Sequence, residues 1–157
     1  MKKLKIHIVI IIITILIISI LGILFFNYLL TDKNIIDGYY KFEEYFDPFG
    51  TQDSIDYCKY YYTNEDDQKF ANRYNKISKK DIDEIKEYFN KFKEWMDASN
   101  RLDEYDFDEN IIDNNDFYLL YDKSNNKDSI EYKKFEYFTV HFYDVNNHVL
   151  YYIHANI

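Results

Sequence analysis

Between Asp97 and Asp116 the chain carries eight acids (Asp97, Asp103, Glu104, Asp106, Asp108, Glu109, Asp113, Asp116) and a single base, Arg101. Within this stretch Asp106-x-Asp108-x-Asn110 places oxygen donors at alternate positions, the spacing that opens a calcium loop. The template then fails. Ile111 stands where the sharp turn needs glycine, and Phe117 where a bidentate glutamate is needed. An EF-hand is excluded, and a looser calcium site at Asp106, Asp108 and Asn110 is what these residues can offer against the reading of a solvated acidic loop. Two carboxylates of the stretch would also suit hydrolysis if they faced one cleft about 5–9.5 Å apart.

A second group comes from the last twenty-one residues. Tyr137 to Asp144 and Val149 to His154 alternate as two strands around Val145-Asn146-Asn147-His148, and a loop of two or four residues gives the same pairing. Phe142 then opposes Tyr151 and Val140 opposes Ile153. His141 opposes Tyr152, and Thr139 opposes His154. One face gathers His141, Tyr143, Tyr152 and His154, a candidate binding cluster with the two imidazoles as diagonal neighbours. Two histidines are too few for a catalytic zinc, which takes three protein ligands. Cys58 is the only cysteine, so no intramolecular disulfide forms. With no histidine near it in sequence, it reads as a small buried hydrophobe.

The element expected to position these groups is a long helix. Ser78 as N-cap with Asp81 three residues on is an acidic form of the capping box. Behind it Ile82, Ile85, Phe89, Phe92 and Met96 recur at three- and four-residue steps, widened by Tyr88 and Trp95. Upstream, Ile36 to Phe46 fits a short helix ending in a turn at Asp47-Pro48-Phe49-Gly50. The spacing of Ile55, Cys58 and Tyr61 predicts a second helix from Asp53 or Ser54 to Tyr62. Thr63 to Lys69 reads as a loop, Phe70 to Ile77 as a strand, and Phe117 to Tyr121 as another strand. The expected class is α+β: a long helix packed on a three- or four-stranded antiparallel sheet that ends in a β-hairpin.

Everything after residue 30 follows a stretch that reads as a membrane span, Ile6 to Leu30. Its core from Ile8 to Phe26 has nineteen uncharged residues, sixteen of them Ile, Leu, Val or Phe. That length suits a bilayer helix, since about 20 residues cross the hydrocarbon layer. No small-residue cleavage site follows it, which favours an uncleaved anchor over a secretory signal. Lys2, Lys3 and Lys5 precede the span while only Lys33, beside Asp32, closely follows. The expected topology is residues 1–30 as cytoplasmic lysines and anchor, and residues 31–157 as one extracytoplasmic domain. That domain has 16 basic and 28 acidic residues, a net charge of −12. Nucleic acid is excluded as a partner by repulsion, and a cationic protein, peptide or divalent metal fits.

Seventeen lysines against two arginines, with abundant Ile, Asn and Tyr, suggest an AT-rich coding sequence from a low-GC bacterium. Leu150 to Ile157, with Asp116-Phe117-Tyr118 upstream and Phe92 to Met96 on the helix, resembles uncharacterised small single-pass membrane-anchored proteins of low-GC Gram-positive bacteria. The resemblance implies a source and a topology, with no activity and no site residues. The resulting expectation is a non-catalytic, membrane-anchored extracytoplasmic protein-interaction module, one concrete form being a protector against a cationic toxin domain. The alternatives are a carboxylate-dependent hydrolase of the cell envelope, or an accessory or sensor subunit of a membrane complex.

Overall fold

The computed structural model describes residues 36–45, 54–125 and 133–157. The Ile6–Leu30 span and the turn at Asp47-Pro48-Phe49-Gly50 lie outside these residues. None of the described helices is long and apolar enough to cross a membrane.

Residues Gly38–Ile157 form one compact α+β unit built on a six-stranded antiparallel sheet. In chain order come β1 (Lys41–Tyr45), β2 (Ser54–Tyr61), α1 (Asp67–Arg73), β3 (Asn75–Lys76), α2 (Lys79–Ala98), β4 (Phe117–Asp122), β5 (Tyr137–Asp144) and β6 (Val149–Asn156). Across the sheet the order is β1-β2-β6-β5-β4-β3, so the closing strand β6 lies between β2 and β5. The sheet therefore has six strands rather than three or four, because both segments read as helices near the start are strands.

The reason lies in Lys59. Along β2, Ile55, Tyr57, Lys59 and Tyr61 point to one face and Ser54, Asp56, Cys58 and Tyr60 to the other, the period of two that a strand requires. Lys59 occupies the face that Tyr57 buries completely, so its charge hides the alternation and leaves the three-residue spacing of Ile55, Cys58 and Tyr61 as the visible signal. β1 pairs with β2 from Lys41 opposite Tyr61 to Tyr45 opposite Tyr57. The β5–β6 hairpin has the expected register: Phe142 opposes Tyr151, Val140 opposes Ile153 and His141 opposes Tyr152, around a four-residue turn.

α2 lies across the first face of the sheet. The Asp81 carboxylate accepts from the Ser78 amide at 2.8 Å and from its hydroxyl at 2.5 Å, starting the helix as expected. At the other end Asn100 adopts φ 57°, the Arg101 amide reaches the Met96 carbonyl at 2.8 Å and the Asn100 amide the Asp97 carbonyl at 2.9 Å. That is a Schellman stop made with asparagine in place of glycine. Ile85, Tyr88, Phe89, Phe92 and Met96 are buried against Tyr57, Phe138, Val140, Phe142 and Ile153 of the sheet. Tyr105 and Phe107, from the acidic stretch after the helix, close this layer, and Phe107 stacks on Phe89 at 3.9 Å.

α1 serves the second face; it replaces the loop expected from Thr63 and shortens the strand expected over Phe70 to Ile77 to β3, Asn75–Lys76. Thr63 and Asp66 repeat the Ser78/Asp81 device: the Asp66 carboxylate accepts from the Thr63 amide at 3.1 Å and its hydroxyl at 3.0 Å. A 3-10 turn, Asn64–Asp66, then runs into α1. Its one buried residue, Phe70, stacks on Tyr143 of β5 at 3.6 Å and meets Tyr62 edge-on at 4.9 Å. A seven-residue helix with one buried ring has too little periodicity to be read from sequence.

Candidate functional site

The acidic stretch divides its donors rather than converging them. Asp106 stays exposed at the margin of the sheet's first face, where it accepts from the Tyr57 hydroxyl at 2.7 Å and the Lys59 ammonium at 2.5 Å. Glu43, opposite Lys59 on β1, lies 3.3 Å from the same ammonium. Burial opposes the charge on Lys59, yet the Asp106 and Glu43 carboxylates hold its ammonium above the ordinary range. Burial likewise pushes Asp106 up, and Lys59 and Tyr57 outweigh it, so the carboxylate sits below its ordinary value. This cluster is an ion pair between the buried Lys59 and the exposed Asp106, with Glu43 beside them, and it fastens the loop to β2.

Asp108 has a different task. Its Oδ1 accepts from the Asn110 amide at 2.9 Å and side chain at 2.8 Å, capping the 3-10 turn Glu109–Ile111. Asp116, fully buried, accepts from the Val145 and Asp113 amides at 3.0 and 2.9 Å and so ties the loop to the β5–β6 turn. Burial raises its carboxyl to about 6, against the lowering effect of those amides. No group of three or more His, Cys, Asp or Glu side chains placed to hold a metal ion occurs among the described residues.

The hairpin cluster lies on the second face, where its four members have different partners. Tyr143 is fully buried beneath Phe70, its hydroxyl donating to Asp67 at 2.6 Å. His148, in the turn, shares the same Asp67 oxygen through Nδ1 at 3.0 Å. His141 and Tyr152 do meet, with ring centroids 5.1 Å apart, and His141 Nδ1 lies 2.9 Å from the Tyr74 hydroxyl. Burial lowers the His141 imidazole to about 4, so it is neutral at pH 7. His154 bonds Thr139 at 3.0 Å and packs edge-on against Tyr137 at 5.3 Å. Burial lowers it as well.

Because β1 and β2 are strands, this face extends further than the hairpin suggested. Cys58 is the hub: Glu44 opposes it on β1 and Tyr152 on β6. Asp56 and Tyr60 flank it along β2. Antiparallel pairs and their diagonals bring such side chains within about 4.5–8 Å of one another. Burial pushes the Cys58 thiol up to about 12 and the charges of Glu44 and Asp56 act in the same direction, so the thiol is inert and the two carboxylates share its surroundings. Next to it Phe42 stacks on Tyr60 at 4.8 Å, and Tyr39 meets Tyr60 at 5.0 Å. Phe42 and Tyr39 remain 38% and 41% exposed, whereas α1 covers Tyr143.

The half of the second face beyond α1 is thus a partly exposed platform of rings with two acids, Glu44 exposed and Asp56 half-buried. Sequence reasoning reached its β5–β6 half and missed Phe42, Glu44, Asp56 and Tyr60; the alternation of residues 54–61 is the signal that holds them. Comparison with known protein families, with curated proteins and with solved structures returns no match.

Proposed function

We propose that the chain is a membrane-anchored, extracytoplasmic protein-interaction module without catalytic activity. The observation that carries the reading is the contrast between its polar groups and its open face. Asp106, Asp108, Asp116, Asp67 and His148 are each committed to hydrogen bonds within the fold, while an aromatic and acidic platform on the sheet is left half-exposed. Exposed rings set among polar groups are the composition of an interface core. Anchoring rests on Ile6–Leu30, and orientation on Lys2, Lys3 and Lys5 ahead of it.

The hydrolase alternative has one supporting feature, the raised carboxyl of Asp116. Its complete burial, with both oxygens accepting backbone amides, speaks against contact with a substrate. The calcium reading would require Asp106 to leave Lys59. A rise in melting temperature at millimolar calcium would revive it. Crosslinking of intact cells followed by purification of the full chain tests the interaction reading: one stoichiometric partner is the expected result, and recovery of the protein alone in every growth condition would contradict it.

A further inference from the structure

On the second face the strand side chains are Phe42 and Glu44 of β1, those at 54, 56, 58 and 60 of β2, and the matching rows of β6, β5 and β4. None of these positions is lysine or arginine, although the domain has 16 basic residues; the one lysine on this face of the sheet is Lys76 of β3, at the far edge from β1, where it lies 4.5 Å from the Phe117 ring. Where the face meets its surroundings, the chain's own ammonium groups rest on it. Lys69 of α1 lies 5.2 Å from the Tyr62 ring, and Lys123 lies 4.8 Å from the Tyr137 ring. Between these margins lie the exposed Phe42 and Glu44, with Tyr60, Tyr152 and Asp56 partly buried beside them.

Resting on the protein-interaction reading above, we propose that this platform binds an extended, arginine- and lysine-bearing segment of a partner protein. A guanidinium or ammonium group is attracted by aromatic faces and completes its hydrogen bonds on carboxylates. Arginine suits the site best because its planar head stacks on a ring while forking onto an acid. The charge of −12 beyond residue 30 draws such a segment in, and the platform gives it a place to dock.

The test measures fluorescence anisotropy of a labelled peptide of alternating arginine and serine, with the full-length chain in non-ionic detergent. A peptide of alternating glutamate and serine is the charge control. Glu44→Gln with Asp56→Asn should weaken binding about tenfold. Asp83→Asn with Glu84→Gln, which removes the same charge from the outward side of α2, should weaken it less than about twofold. If Asp56→Asn unfolds the domain, Phe42→Ala with Glu44→Gln, both at exposed positions, takes its place with the same expectation. Equal loss from the two charge-matched pairs would overturn the proposal, since the attraction would then belong to the net charge alone. Self-association that these platform substitutions abolish would also overturn it, by making a second copy the occupant. A crosslinked cellular partner retained by the platform variants would remove this docking site and leave the interaction reading standing.

Discussion

The side chains that looked most chemical in the sequence are mostly fasteners, and their energetics can be tested one at a time. Asp106→Ala leaves the buried Lys59 with the Glu43 carboxylate and should cost about 1 kcal/mol in urea unfolding, since Asp106 is itself exposed to solvent. Tyr57→Phe should cost about 1 kcal/mol, and the double variant less than the sum, because both donors share one carboxylate. Two groups give opposite responses to pH. His141 has a folded value near 4, below the ordinary 6.5, so the stability it confers is present above pH 6.5 and is lost as pH falls from 6.5 to 4. Its ring keeps a solvent-facing edge, so the loss is about 1–3 kcal/mol. Asp116 has a folded value near 6, above the ordinary 3.8, so its contribution is full below 3.8 and is lost as pH rises to 6. Urea midpoints between pH 7 and 4 should therefore fall less steeply in His141→Gln and more steeply in Asp116→Asn than in the parent chain. Parallel profiles for all three would contradict both assignments. The sequence shows the acids around Asp106 but gives no sign that one of them bonds to β2, because its partners Tyr57 and Lys59 lie almost fifty residues upstream.

At the scale of elements, two helices start with the same device and cover the two faces of one sheet. Thr63→Ala and Ser78→Ala remove the hydroxyls that donate to Asp66 and Asp81 and should each cost about 1 kcal/mol, and thermal melts would measure it. Phe70→Ala should cost about 3–5 kcal/mol, because it removes the only buried ring of α1 and uncovers Tyr143. A loss below 1 kcal/mol would mean that α1 is not packed on the second face. Legibility followed the length and purity of the pattern. α2 and the β5–β6 hairpin were readable because α2 is 20 residues long with a continuous apolar stripe, and the hairpin alternates cleanly on both strands. β1 and β2 were not readable, since Lys59 sits on the core side and Glu43, Glu44 and Asp56 break the apolar rows. The same misreading concealed half of the candidate site. His141, Tyr152 and His154 were placed on the right face without the acids and rings that adjoin them.

For the whole molecule, the proposed function requires that Ile6–Leu30 hold the acidic sheet domain outside the membrane. Location is the premise on which the rest depends, and Cys58 makes it measurable. That thiol is buried and raised to about 12, so it will not react with a maleimide under native conditions. A cysteine placed at exposed Asp83, on the outward side of α2, provides a single reporter. The decisive measurement is labelling of the full-length Asp83→Cys chain by a membrane-impermeant maleimide in intact cells and in permeabilised cells. The account predicts equal labelling in both, with none in the parent chain. Labelling of Asp83→Cys only after permeabilisation would put the sheet domain in the cytoplasm and contradict it.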